Sequence, residues 1–88
     1  MSIRTAVTFA AWLAATVQSG APHVRIVAPA DDALVGSMFR AAAALATQHG
    51  YADRGYRTVF NCNSEAGQSV FHIHLHVLAG RKLSWPPG

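Results

Sequence analysis

Two hydrophobic rhythms organise the chain. Across residues 69–78, read S-V-F-H-I-H-L-H-V-L, polar and apolar residues alternate. A period of two predicts a β-strand with one buried face. Phe71, Ile73, Leu75 and Val77 fall on one side and are the expected core; His72, His74 and His76 share the other. Across residues 31–49 the period changes. Leu34, Val35, Met38, Ala42, Leu45 and Ala46 recur at spacings of three and four, which predicts an amphipathic helix. Asp31 and Asp32 suit its first turn, and Gly50 is a natural residue to follow its C-terminus. Gly36 sits inside the helix, where glycine costs about 1 kcal/mol relative to alanine, and is read as marking the close approach of another backbone.

The remaining segments are shorter. Residues 55–61 predict a strand, with Tyr56, Thr58 and Phe60 on one side and Arg57 and Val59 on the other. The polar stretch 62–67 is a turn, so this strand and the histidine strand form an antiparallel hairpin that brings Asn61 near the imidazoles. Pro86 and Pro87 cannot donate to a ladder, so the sheet ends before them, and Trp85 is a large aromatic suited to an interface. Residues 23–27 are a short β-prone run between Pro22 and Pro29. Residues 3–17 are apolar and Ala-rich, with Arg4 as the only charge, and read as a helix. The expected organisation is an N-terminal helical segment of unclear role at 1–21 followed by one domain at 22–88.

Composition narrows the class. The chain has 88 residues, 51% hydrophobic and 12% charged, which fits one small globular domain that gains from a partner subunit. The net charge is +3, but the seven basic residues form no run, so a nucleic-acid footprint is not expected. Cys62 is alone, which excludes a disulfide framework and suits a reducing compartment. The apolar N-terminal stretch falls short of the about 20 residues that span a bilayer, so no membrane association is expected. Its outline also resembles a targeting segment, but cleavage after residues 19–21 would leave Pro22 first, a poor site. A cytoplasmic protein is therefore expected, with a mitochondrial or other organellar location as the alternative if residues 1–21 act as a targeting segment.

The three histidines ask for chemistry. Strand residues i and i+4 lie about 13 Å apart, whereas one zinc holds its nitrogens at about 2.0–2.1 Å, so His72 and His76 do not converge on one ion. Two neighbouring histidines remain a possible pair of ligands, which keeps a metal-binding module open as an alternative. A row of imidazoles suits a phosphate-sized substrate better, because neutral imidazole is a nucleophile near pH 7 and imidazolium a proton donor.

The stretch G-Q-S-V-F-H-I-H-L-H-V-L-A-G-R, the preceding G-Y-R-T-V-F-N and the ending W-P-P-G resemble the histidine triad nucleotide-binding proteins, the purine nucleoside phosphoramidase branch of the histidine triad (HIT) superfamily. The resemblance covers residues 31–88. It implies an α+β fold in which a central helix packs on a small antiparallel sheet. It also implies a homodimer, in which the helix face around Leu34, Met38 and Leu45 packs against its copy, that binds purine nucleotides or nucleoside phosphoramidates, with no metal or other cofactor. By the same resemblance His74 is the nucleophile, and His76 and Ser69 serve the leaving group. His72 orients the nucleophile, Asn61 with the backbone around Gly67 and Gln68 meets phosphate and sugar, and Trp85 belongs to a tail that reaches the partner's site. His23 is matched to a further active-site histidine. In the family, strands before the helix shape the base and ribose pocket. No counterpart is legible in residues 1–21, so the sheet is expected to have fewer strands than a complete HIT domain and the activity to be weak. A catalytically weak nucleotide-binding or protein-interaction module is the second reading.

Overall fold

The computed structural model describes residues 12–18 and 26–88 and the backbone of residues 2–5. Four strands and one helix run in the order β1 (Ser2–Thr5), β2 (Leu13–Gln18), α1 (Asp32–Gln48), β3 (Tyr56–Phe60) and β4 (His74–Ala79). The sheet is antiparallel throughout, with spatial order β1-β2-β4-β3. The α+β arrangement implied by the resemblance is the one observed.

The register follows from which side chains need burial. In β4, Leu75, Val77 and Ala79 are buried, as is Ile73 just before the strand. In β2, Leu13, Ala15 and Val17 are buried on the same side, and Leu75 pairs with Val17 and Val77 with Ala15. Met38, Ala42 and Leu45 of α1 close over them, joined by Tyr51. A one-residue slip of β4 would exchange this apolar set for the histidines, so burial fixes the pairing.

Local chemistry sets the helix ends. A 3₁₀ turn at Pro29–Asp31 leads in, held by the Ala28 N–H donating to Asp31 Oδ2 at 2.9 Å. At the other end Gly50 has φ of 79°, the Gly50 N–H donates to the Thr47 carbonyl at 3.1 Å, and the Tyr51 N–H donates to Ala46 at 2.8 Å. This is a Schellman cap with glycine in its left-handed position.

Several expectations are corrected. The described residues within 3–17 are not helical. Their described parts are β1 and β2, and β2 pairs directly with β4. The Ala-rich composition favoured helix, but the alternation of Leu13, Ala15 and Val17 against Ala14, Thr16 and Gln18 completes the sheet under α1, and tertiary burial outweighs propensity. The histidine strand starts at His74 rather than at residue 69, because pairing with β2 begins where Gln18 meets His74. Phe71 therefore stands outside the ladder, 50% exposed, rather than in the core. Nothing lies within 4 Å of a Cβ built on Gly36, so no other part of the described chain approaches it. The helix face at Leu34, Met38 and Leu45, expected to meet a second copy, turns onto the chain's own sheet: Met38 is fully buried and Leu45 is 6% exposed. Ile26 and Val27 are outside any strand; His23 and the rest of the 23–27 run lie outside the described residues. Among the described residues no helix is long and apolar enough to cross a membrane.

Leu75 has no exposed surface and sits at the centre of the core. Its replacement in Leu75→Ala is expected to destabilise the fold by about 2–5 kcal/mol, the usual range for a large-to-small change in a core. Urea denaturation measures it, and a loss below about 1 kcal/mol would contradict the central placement of Leu75.

Candidate active site

The face of the sheet opposite α1 carries the histidine row. Since alternate residues of β4 are committed to the core, His74 and His76 project to the other side. Cross-strand pairing adds to the same face: Thr16 and Val59 lie opposite His76, and Gln18 lies opposite His74. His72, one step before the strand, continues the row. The ring centroids of His72 and His74 are 5.8 Å apart and those of His74 and His76 are 4.8 Å apart, both in edge-to-face orientation.

These residues border a cleft of about 410 Å³ lined by Thr16, Gln18, Asn61, Gly67, Ser69 and Val70 together with the three histidines. Of the residues singled out in the sequence, His72, His74, His76, Ser69, Asn61 and Gly67 thus meet at one place. Gln68 is not part of the lining. It is buried, with its side chain engaged by Asn63 and His72. Trp85 is 82% exposed and borders a separate depression beside Arg57, Val59 and Phe60, so the single chain does not bring it to the cleft. Thr16 and Gln18 were missed. Their signal was the weak alternation in L-A-A-T-V-Q, masked because alanine fits either face of either element.

One hydrogen bond sets a tautomer within the row. His74 Nδ1 lies 3.0 Å from the His72 carbonyl oxygen. A carbonyl only accepts, so the bonded form has the proton on Nδ1 and leaves the Nε2 lone pair free. His76 Nδ1 lies 3.3 Å from the Thr16 hydroxyl. Burial, and second the charge of neighbouring His74, hold the His76 pKa below the ordinary imidazole value. Beside the row, the turn after β3 passes through a 3₁₀ segment at Ser64–Ala66 and ends at Gly67, whose φ of 82° is left-handed. That geometry lets the chain double back and deliver Ser69 to the cleft. Among the described residues no three His, Cys, Asp or Glu side chains form a set that could hold a metal ion. Cys62 is exposed.

The arrangement places an imidazole nitrogen with an unprotonated lone pair, a second imidazole beside it, a hydroxyl and amide groups around one cleft. A family model described as the HIT domain matches residues 15–83. The chain is 45% identical over 67 residues to an uncharacterised HIT-like protein of Synechocystis, a match spanning 76% of this chain and 58% of that protein. It is 44% identical over 62 residues to a purine nucleoside phosphoramidase of Escherichia coli, spanning 70% of this chain and 52% of the enzyme. The chain thus spans about half the length of the curated relatives it matches. A crystal structure of a HIT family hydrolase from Legionella pneumophila superimposes with a TM-score of 0.69 at 32% identity, covering 100% of this chain and 90% of that one.

His76 is expected to titrate below free imidazole when followed by NMR. In His74→Ala the neighbouring charge is gone and burial remains, so the midpoint should rise without fully reaching the ordinary value. An unchanged midpoint in that variant would remove His74 as a cause.

Proposed function

Because the chain belongs to the HIT domain family, we propose that its cleft hydrolyses purine nucleoside phosphoramidates by two-step nucleotidyl transfer. The observation that carries the reading is the 3.0 Å contact between His74 Nδ1 and the His72 carbonyl, which leaves Nε2 as a free nucleophile facing the cleft. The likeness to a purine nucleoside phosphoramidase supports the substrate class.

In the first step the Nε2 lone pair of His74 attacks the α-phosphorus. The P–N bond to the amine breaks, and the departing nitrogen takes a proton from protonated His76, with the Ser69 hydroxyl assisting. The imidazole of His74 gains positive charge as it becomes nucleotidylated, and its Nδ1–H bond to His72 strengthens. In the second step water attacks the same phosphorus, gives its proton to the now neutral His76, and displaces His74 to release the nucleoside monophosphate. Two steps let one imidazole act as nucleophile and another as acid and base. The side chain of Asn61 and the backbone following Gln68 serve the phosphoryl oxygens and sugar, since the N–H groups of Gly67 and Gln68 are spent on the Ser64 and Asn63 carbonyls.

The grip on the nucleoside is thinner than that on phosphate. No carboxylate is among the described lining residues, so the ribose hydroxyls meet neutral groups such as Asn61, Gln18 and Thr16. That observation favours weak binding and a high KM, and it sustains a second reading, a nucleotide-binding module with little turnover. Binding energy remote from phosphorus helps position it, so a thin grip lowers rate as well as affinity.

Amine release from an adenosine phosphoramidate tests the reading. Wild-type protein should turn over, and His74→Ala should lose activity while keeping its fold, because His74 lies off the core face. Nucleotide binding without release would select the second reading. The rate should follow a bell in pH, with apparent constants belonging to the coupled row. The nucleophile must be neutral, so the rate falls in acid. The acid must be protonated, so the rate also falls as pH rises through the His76 value. That value is lowered in the free protein, and a bound anionic phosphate favours the imidazolium. The alkaline limb should therefore lie at higher pH in kcat than in kcat/KM. A flat profile between about pH 5 and 9 would contradict imidazole chemistry in the rate-determining step.

The protein is also proposed to act as a homodimer. With Met38 and Leu45 spent on the core, the exposed apolar groups offered to a two-fold contact include Phe39, Tyr56 and Trp85, on or beside edge strand β3. Sedimentation should show a dimer at micromolar concentration, weakened in Trp85→Ala. A stable wild-type monomer would refute it.

A further inference from the structure

Gln68 is the only buried polar or charged side chain among the described residues, 5% exposed. Burying an amide is unfavourable unless its groups are paired, so what it bonds to is informative. Its Oε1 accepts from the Asn63 N–H at 2.7 Å. A backbone N–H only donates, so this bond fixes the amide orientation and turns Nε2 the other way. There Nε2 donates to the His72 carbonyl at 3.5 Å. The backbone adds a third link, from the Gln68 N–H to the Asn63 carbonyl at 3.1 Å.

Both ends of this bridge matter. Asn63 has φ of 66° and ψ of −174°, a region almost confined to glycine, which persists only where surrounding bonds hold it. The bonds from Gln68 to its N–H and carbonyl are such bonds. The His72 carbonyl also accepts from His74 Nδ1, so its two lone pairs meet Gln68 and the nucleophile's ring. Residues 69–73 precede the β4 ladder, so strand pairing does not itself set the His72 peptide plane. We propose that Gln68 is a positioning residue for the nucleophile: its amide ties the strained turn at Asn63 to the His72 carbonyl and so holds His74 in the Nδ1-protonated tautomer. The proposal rests on the reading of His74 as nucleophile, but its structural half is independent of turnover. It assigns the Gln68 side chain a role distinct from contact with substrate.

Two variants separate the bonds. Gln68→Glu keeps the acceptor for the Asn63 N–H but sets an oxygen against the His72 carbonyl; Gln68→Leu removes both. The primary readout is the ¹⁵N spectrum of the His74 ring in substrate-free protein at about pH 8.5, where imidazole is ordinarily neutral. Wild type should show the Nδ1-protonated form, and Gln68→Glu a mixture of tautomers. If Gln68→Leu fails to fold, Gln68→Glu carries the test. With an adenosine phosphoramidate, kcat/KM of Gln68→Glu should fall roughly three- to tenfold, the rate equivalent of one neutral hydrogen bond. Its adenosine monophosphate affinity should stay near that of wild type. An unchanged tautomer in Gln68→Glu would overturn the proposal, and lost affinity with an unchanged tautomer would make Gln68 a ligand contact instead. If wild type shows no turnover, the functional reading fails, while the spectrum still decides the role of Gln68.

Discussion

The two-sidedness of β4 is the constraint on which the rest depends. Successive side chains of a strand point in opposite directions, so six residues supply core and chemistry at once. Leu75 and Val77 are sealed between the sheet and α1, and this fixes His74 and His76 on the other side without any separate device. The neighbours follow from the same register. β2 must place Leu13, Ala15 and Val17 against the helix, and in doing so it sets Thr16 opposite His76 and Gln18 opposite His74.

Strand geometry aims the imidazoles but does not choose their protonation. That falls to the segment just before the strand, where the chain leaves the ladder and carbonyls are free to accept side-chain donors. The His72 carbonyl is the junction, taking His74 Nδ1 from one side and Gln68 from the other. His76 is treated differently. Partial burial and the charge of His74 favour its neutral form. Neighbouring imidazoles of similar sequence context thus acquire different tasks from their surroundings.

Legibility in the sequence followed the strength of local pattern. α1, its glycine cap at Gly50, the β3–β4 hairpin and the meeting of the three histidines with Ser69, Asn61 and Gly67 were readable, because side-chain period and turn chemistry are local signals. β1 and β2 were not. Alanine at 14 and 15 blurs the alternation and favours helix, and only pairing with β4, some sixty residues away, makes the strand. Thr16 and Gln18 were lost with it. The side on which Met38 and Leu45 are buried was misjudged because an apolar stripe states that a face is covered, not by what. Burial of Gln68 was invisible because it depends on the strained turn at Asn63.

The central claim is that His74 is a covalent nucleophile. It is tested most directly by mixing protein and adenosine phosphoramidate, quenching with denaturant within the first turnovers, and mapping the adduct by peptide mass. The account predicts one nucleotidyl group on the peptide containing residues 72–76, located to His74 and absent from His74→Ala. Amine release at the normal rate with no adduct at any quench time, or with the adduct on another residue, would contradict it.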